Sequence, residues 1–189
     1  MCIDAGADAI GLNFVTTSPR CISIDDARVI ADAVSGSIEI VGVVANLDIA
    51  ALRALAIDAR LDMLQLHGDE APSRISELLP RAYKAVRIST ADDVAIARTF
   101  PGEDLLLDAK VAGVLGGSGH AFDWSLVADL AKERRITLAG GLTPENVQDA
   151  IRAISPYRVD VASGVEIAGN PRKKDVSRVR AFVEKVRAL

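Results

Sequence analysis

The sequence has little of several residue types, and each shortage excludes a class of protein. Only 4% of its 189 residues are aromatic, two are cysteines, and the formal net charge is −4. A net negative charge gives no basic surface for nucleic acid. Every long apolar stretch is interrupted by charges, so no membrane span is predicted. The first residues carry acids and no basic segment, so no secretory signal is expected.

The two cysteines, Cys2 and Cys21, also limit the chemistry that we expect. Two isolated thiols do not make a disulfide framework, and they form no C-x-x-C motif that would indicate a zinc site. We therefore expect no metal site. The reducing cytoplasm is the expected compartment, because disulfides are rare there.

The chain is rich in aliphatic residues in a regular order, and half of its residues are hydrophobic. Short aliphatic runs alternate with amphipathic segments, which predicts seven strand-then-helix units and an α/β protein with parallel strands. At this length we expect a single domain over residues 1–189. The predicted strands are residues 9–14, 38–44, 63–66, 83–88, 105–108, 136–139 and 158–162. The predicted helices are residues 23–34, 48–59, 71–79, 90–99, 124–133, 143–154 and 175–187.

The position of the glycine-rich turns decides between an open doubly wound sheet and a closed barrel. A dinucleotide-binding G-x-G-x-x-G motif is missing after the early strands, whereas glycine turns follow the late ones, as in the phosphate site of a TIM (β/α)8-type barrel. Such a barrel needs eight strands, and residues 1–5 read as the end of a helix that stops at Gly6. We therefore expect a TIM (β/α)8-type barrel whose first strand is missing from this chain, an N-terminally incomplete domain.

The most informative segment is an aliphatic run that ends in an acid and leads into glycines. Asp108 ends the run at residues 105–107, and Gly116, Gly117 and Gly119 follow. An acid at the carboxyl end of a barrel strand points into the mouth where chemistry is done. The alternative for Asp108 is a capping or salt-bridged acid, with Lys110 as a partner. The three glycines are expected to form a mobile loop over the site.

Two later strands each lead into a glycine-containing turn. Gly140 and Gly141 follow one strand, and Ser163 and Gly164 follow the other. Backbone N–H groups at such turns are open to a phosphate. Tight turns explain any one of these glycines, but explain both loops together less well. The pattern predicts an enzyme that acts on a phosphorylated small molecule.

The motifs of the chain, taken in order, resemble those of the phosphoribosylanthranilate isomerase family. They are AGADAIGLNF, SPR, LQLHGDE, LLLDAKV, GGSG-x2-FDW, LAGGLTPENV and VDVASGVE. This resemblance covers nearly the whole chain and implies a (β/α)8 barrel without a cofactor. It also implies an Amadori rearrangement in tryptophan biosynthesis, which converts N-(5-phosphoribosyl)anthranilate to 1-(2-carboxyphenylamino)-1-deoxyribulose 5-phosphate.

The resemblance gives a role to each candidate residue. It implies that Asp108 is the general acid, that Arg20 binds the anthranilate carboxylate, and that the two glycine turns bind the phosphate. A partly desolvated carboxylic acid suits proton delivery to the ring oxygen, and a guanidinium binds a carboxylate through paired hydrogen bonds. The alternative is that Arg20 is an ordinary solvated arginine on the surface. Asp160 either orients substrate hydroxyls or is a buried acid paired with Arg158 or another partner.

The chain departs from the family pattern in one respect. The family's first strand carries a K-I-C-G motif whose cysteine is the general base, and this sequence contains no such motif. Cys2 lies just before Gly6, in the predicted helix, and Cys21 follows the SPR motif, so neither matches the family cysteine. We therefore expect the polypeptide as given to be impaired.

Several alternatives remain from the sequence. His67 ends a strand, and a hydrogen-bonded structural role is favoured over a catalytic one. A non-catalytic phosphosugar-binding remnant, or a fragment that needs a partner strand, competes with the isomerase. A related phosphosugar isomerase or epimerase is a weaker candidate. The expected partner is a small phosphorylated substrate, with no nucleic acid and no membrane, and the chain is either a monomer or a homodimer.

Overall fold

The computed structural model describes residues 1–34, 36–109 and 125–189, and within these ranges strands and helices alternate as the sequence predicts. All seven predicted strands are present, which confirms the βα pattern. The parallel strands are β1 Ala9–Asn13, β2 Glu39–Val44, β3 Met63–Leu66, β4 Ala82–Ile88, β5 Asp104–Ala109, β6 Arg135–Ala139 and β7 Arg158–Val159. In the sheet their order is their order in the chain.

The helices also follow the predicted order, with shifts at some ends. They are α1 Ile24–Val34, α2 Ile49–Asp58, α3 Pro72–Ser76, α4 Ala91–Thr99, α5 Ser125–Glu133, α6 Val147–Ile154 and α7 Val176–Arg187. An aspartate caps two of the predicted starts: Asp48 accepts the N–H of Ala51, and Asp175 accepts the N–H groups of Ser177 and Arg178. Such caps satisfy amides that have no partner inside the helix.

The contacts divide the chain into two compact units, Met1–Lys84 and Ala85–Leu189. In the first unit Val41 of β2 pairs with Met63 of β3, and Leu64 pairs with Ala82 at the start of β4. In the second unit β5 pairs with β6, and β6 pairs with β7. The single domain predicted from chain length stays a prediction.

Burial explains why the strands form where aliphatic runs occur. Leu105, Leu106 and Leu107 are successive residues of β5, so their side chains point to alternate faces of the sheet, and all three are buried. A strand covered on both faces must be apolar on both. Burying each leucine contributes about 1.5–3 kcal/mol. This buried strand fixes the position at which Asp108 leaves the core.

The sequence prediction is wrong at three places in the second unit. The helix expected from residue 143 begins at Val147, because Asn146 bonds the preceding turn. The last strand, expected to reach residue 162, ends at Val159. A short 3-10 helix, Ser163–Val165, follows it and leads into an unpredicted antiparallel hairpin of β8 Glu166–Ile167 and β9 Asn170–Lys174. Among the described residues, no helix is both long and apolar enough to cross a membrane.

Candidate active site

Asp108 lies at the carboxyl end of β5, half-buried, as the aliphatic run predicts. The parallel register pairs it with Ala139, the last residue of β6. Gly140 follows Ala139 directly, so the acid and the first glycine turn lie at the same edge of the sheet. This is the edge at which barrel enzymes carry their reacting groups.

The turn after β6 has a backbone that only glycine adopts easily. Gly140 and Gly141 have φ angles of +99° and +73°. An L side chain is strained in this region, whereas glycine is not. The side chain of Asn146 holds the turn, because its Oδ1 accepts the N–H of Thr143 at 2.8 Å and its Nδ2 donates to the carbonyl of Gly141 at 3.0 Å.

The second glycine turn packs directly on the first. A Cβ added to Gly164 would lie 1.9 Å from the carbonyl oxygen of Leu142 and 3.1 Å from the Cα of Thr143. Only a residue without a side chain allows the two backbones to approach so closely. The structure therefore brings the four predicted phosphate residues, Gly140, Gly141, Ser163 and Gly164, into two touching turns of the second unit.

Arg178 of α7 connects these two turns, and the sequence analysis did not identify it. Its Nε donates to the carbonyl of Gly164 at 2.8 Å, and its Nη1 and Nη2 bond the carboxylate of Glu145 at 3.1 and 2.9 Å. A hydrogen bond from the Thr143 side chain, followed by the bond from Arg178, lowers the pKa of Glu145 to about 2. A cation in the first turn of a helix is unfavourable to the helix dipole, and that is the signal which could have singled out Arg178.

Asp160 comes directly after β7 and is exposed, which does not match the alternative of a buried acid. Its backbone N–H donates to the carbonyl of Leu138 at 2.8 Å, which continues the pairing of β7 with β6 by one residue. Asp160 thus also lies at the carboxyl edge of the strands of the second unit.

Arg20 lies in the first unit, in the loop between β1 and α1, and is half-buried. Hydrogen bonds within the loop hold it: the N–H of Arg20 donates to Oγ of the Ser18 side chain at 3.1 Å, and the N–H of Ile22 donates to the carbonyl of Asn13 at 2.9 Å. Arg20 therefore extends from an ordered turn that follows the carboxyl end of β1.

Some predicted residues lie outside the described ranges. They are Lys110, the proposed partner of Asp108, and the loop glycines Gly116, Gly117 and Gly119. Within the described ranges, no group of three or more histidine, cysteine, aspartate or glutamate residues is arranged to hold a metal ion. Cys2 and Cys21 are not joined in a disulfide bond.

A second set of polar residues missed by the sequence analysis lies in the first unit. Gln65, Glu70 and Lys84 are buried, and His67 is half-buried beside them. The signal was present in the sequence, because glutamine and lysine lie within strands that are mostly apolar. Fully buried lysine and glutamate are rare unless they are paired.

Comparison with known proteins shows the family of this chain. The family model for N-(5'-phosphoribosyl)anthranilate isomerase matches residues 1–185. The isomerase of Pseudomonas aeruginosa strain UCBPP-PA14 is 46% identical over 187 residues, which are 97% of this chain and 87% of that protein. The isomerase of Pseudomonas fluorescens strain SBW25 is 43% identical, over 98% of this chain and 88% of that protein.

Solved structures of isomerases in this family are similar to this chain in fold. The isomerase of Thermotoga maritima has a TM-score of 0.87 and 37% identity, and the match covers 100% of this chain and 92% of that one. A phosphoribosylanthranilate isomerase in complex with reduced 1-(o-carboxyphenylamino)-1-deoxyribulose 5-phosphate has a TM-score of 0.85 and 34% identity, over 100% of this chain and 91% of that one. These relatives are TIM barrels, which confirms the predicted fold class, and they do not favour the non-catalytic alternative. The chain belongs to the N-(5'-phosphoribosyl)anthranilate isomerase family, the isomerases of tryptophan biosynthesis.

Proposed function

We propose that this chain carries out the family's Amadori rearrangement with Asp108 as the general acid. In the reaction the bond between C1 and the ring oxygen breaks, and the ring oxygen takes a proton. A proton then leaves C2, and the resulting enol becomes the ketone of the 1-deoxyribulose product. The observation that carries this proposal is the position of Asp108, half-buried and in register with Ala139, one residue from the Gly140 turn. A carboxyl group at this edge of the sheet is a residue type that can deliver the proton which the ring oxygen takes.

In this proposal the two touching turns bind the substrate phosphate. Gly140, Gly141, Ser163 and Gly164 supply backbone N–H groups, and the lack of side chains at the glycines leaves the backbone open to a large anion. Several such donors together can bind a dianionic phosphate. One structural relative was solved with a phosphorylated product analogue, which supports a ligand of this class.

Arg20 and Asp160 are proposed to bind the rest of the substrate. Arg20 matches the anthranilate carboxylate, because a planar guanidinium and a carboxylate form two parallel hydrogen bonds. Asp160 is exposed at the end of β7, where its carboxylate can accept bonds from ribose hydroxyls. No cofactor is needed for this chemistry, and we propose that it takes place in the cytoplasm, where phosphorylated biosynthetic intermediates are made.

The general base is the part of the reaction that residues 1–189 do not supply in our proposal. The Cys21 thiol bonds the neighbouring carbonyl of Ile22 at 3.8 Å, and Cys2 lies in the turn before Gly6. Neither belongs to a K-I-C-G motif. Loss of a general base typically reduces the rate by about 10²–10⁴-fold. We therefore expect the polypeptide of residues 1–189 alone to be a weak isomerase.

The test compares the growth of a tryptophan auxotroph that lacks this isomerase when it expresses one of two forms of the protein. The first form is residues 1–189, and the extended form carries a strand with K-I-C-G before Met1. We expect growth without tryptophan only from the extended form, and a D108N variant of the extended form should fail to rescue. Rescue by the short form would refute the requirement for the upstream cysteine. Rescue by neither form, with both folded, would argue against the isomerase assignment itself.

One solved relative consists of monomers generated from the dimeric isomerase of Thermotoga maritima. The sequence is compatible with a monomer and with a homodimer. Light scattering of the purified extended form measures its mass and so distinguishes the two oligomeric states.

A further inference from the structure

Two cations of the second unit hold carbonyls of the second glycine turn. Nζ of Lys174, the last residue of β9, donates to the carbonyl of Ala162 at 2.9 Å and to Oε1 of Glu166 at 2.9 Å. Nε of Arg178, in the first turn of α7, donates to the carbonyl of Gly164 at 2.8 Å. The turn is therefore bound through its backbone from two different elements, the hairpin and the last helix.

The orientation of these carbonyls fixes where the amides of the turn point. In a trans peptide group the C=O and the N–H point in opposite directions. The carbonyl of Ala162 shares its peptide group with the N–H of Ser163, so the bond from Lys174 directs that N–H away from the lysine. The carbonyl of Ser163 accepts the N–H of Glu166, which likewise orients the N–H of Gly164. The two amides that we assign to the phosphate are thus oriented by groups on the far side of the backbone.

Arg178 also links the second turn to the first. Its Nη1 and Nη2 bond the carboxylate of Glu145 at 3.1 and 2.9 Å, and the N–H of Glu145 donates to Oγ1 of Thr143 at 3.2 Å. Thr143 directly follows Leu142, whose carbonyl lies against Gly164. All three guanidinium nitrogens have protein acceptors, and one side chain connects both turns. The bonds of Arg178 therefore set how far the two turns lie apart.

Stability alone does not explain Arg178. Its side chain is 38% exposed and that of Glu145 is 66% exposed, and an exposed ion pair adds little stability and is screened by salt. A cation in the first turn also opposes the helix dipole. Another exposed pair of this unit, Arg152 with Asp149, joins residues of one helix, whereas Arg178 joins two turns. Its position is better explained by the geometry that it imposes.

The first unit holds carbonyls with a pair of the same kind in a different setting. Nζ of Lys84 lies 3.2 Å from Oε2 of Glu70. It also donates to the carbonyls of Leu66 at 3.0 Å and Gly68 at 2.6 Å. The two charged side chains are only 6% and 1% exposed, so the loss of either charge endangers the fold. The exposed Arg178 can be replaced without that cost, which makes its effect on ligand binding measurable.

We propose that Arg178 and Lys174 are positioning residues of the phosphate site, and that neither binds the phosphate itself. Arg178 sets the distance between the two turns, and Lys174 orients the amide of Ser163. Each cation is already paired with a carboxylate, Glu145 or Glu166, and a neutralised cation attracts a dianion less. The inference rests on the proposed function, which assigns the phosphate to these turns.

The first test measures the binding of inorganic phosphate to residues 1–189 by titration calorimetry, without any activity measurement. R178M should weaken binding by about 10-fold, since it removes hydrogen bonds made by a charged group. R178K should weaken it to the same extent, because an ammonium group cannot reproduce the planar fork that binds both carboxylate oxygens. E145A should weaken it as well. If Arg178 bound the phosphate directly, E145A would instead strengthen binding, because it removes a nearby negative charge.

The matched control is R152M, which breaks an exposed pair within α6 and should leave the phosphate affinity unchanged. The R178M/E145A double variant should bind no more weakly than R178M, because both changes break the same link. K174M should also weaken phosphate binding. Urea unfolding shows whether each variant is folded, and R178K and E145A carry the test if R178M does not fold. Unchanged or stronger binding in E145A, or full affinity in R178K or K174M, would overturn the proposal.

The second test uses the steady-state kinetics of the extended form. R178M should raise KM and leave kcat nearly unchanged, because it acts on the phosphate and not on the proton transfers. A fall in kcat with KM unchanged would contradict the positioning role. If the extended form is inactive but the phosphate affinities follow the predicted order, the isomerase assignment is refuted and the role of Arg178 stands. If the unsubstituted chain binds no phosphate, both the phosphate site and this inference are refuted.

Discussion

Replacing Gly164 with alanine should separate the two turns that we assign to the phosphate. The added Cβ would lie 1.9 Å from the carbonyl oxygen of Leu142, and Cβ atoms in proteins essentially never have contacts shorter than 3.0 Å. The neighbours at 142 and 143 are backbone atoms, which have no alternative rotamer, so the chain itself must move by about an ångström. Overpacking of this kind costs about 1–3 kcal/mol. A shift of this size should also raise KM, because the donors no longer converge on one anion.

The assay combines urea unfolding with steady-state kinetics of the extended form, and it has a matched control in the same chain. At Gly11 an added Cβ would meet only Cγ2 of Val43, at 3.7 Å, which is ordinary contact. G11A should therefore leave KM unchanged and alter the free energy of unfolding by less than about 1 kcal/mol. If G164A matched G11A in both stability and KM, the close packing of the two turns would not matter, and our reasoning would be refuted.

Three further predictions concern charged groups. D108N in the extended form should reduce kcat by about 10²–10⁴-fold in steady-state kinetics, with little change in the free energy of unfolding. Because the pKa of Glu145 is lowered to about 2, its carboxylate stabilises the folded state above about pH 4.5. This contribution is lost as the pH falls towards 2. The E145Q variant should therefore lack this part of the pH dependence of the free energy of urea unfolding. K84M should cost about 3–5 kcal/mol of unfolding free energy, and K84M/E70L should recover much of it, since both charges are then gone.

The sequence predicted the parts of the fold that depend on local pattern. The run at residues 105–107 is apolar on both faces and is buried on both, so the pattern of residues alone was enough to place β5 and its terminal acid. The hairpin of β8 and β9 could not be predicted in this way. Its second strand, Asn170–Lys174, contains a proline and three cations and shows no alternation of apolar and polar residues.

The candidate site shows the same division between local and distant interactions. Glycines after strands predicted the two turns, but not that Gly164 approaches Leu142, since that contact joins residues far apart in sequence. The predicted start of α6 was wrong because the side chain of Asn146 forms hydrogen bonds with an N–H and a carbonyl of the preceding turn. Side chains that bond loop backbone compete with helix formation, and pattern alone does not reveal which interaction prevails.

Each unit uses an ion pair to hold turns at the carboxyl ends of its strands, and the two pairs differ in their surroundings. Arg178 and Glu145 join the glycine turns while 38% and 66% exposed, whereas Lys84 and Glu70 are almost wholly buried. An exposed pair contributes about 0–1 kcal/mol and is screened by salt, so it adds little to stability. A buried pair is costly to break, because either partner alone is left uncompensated.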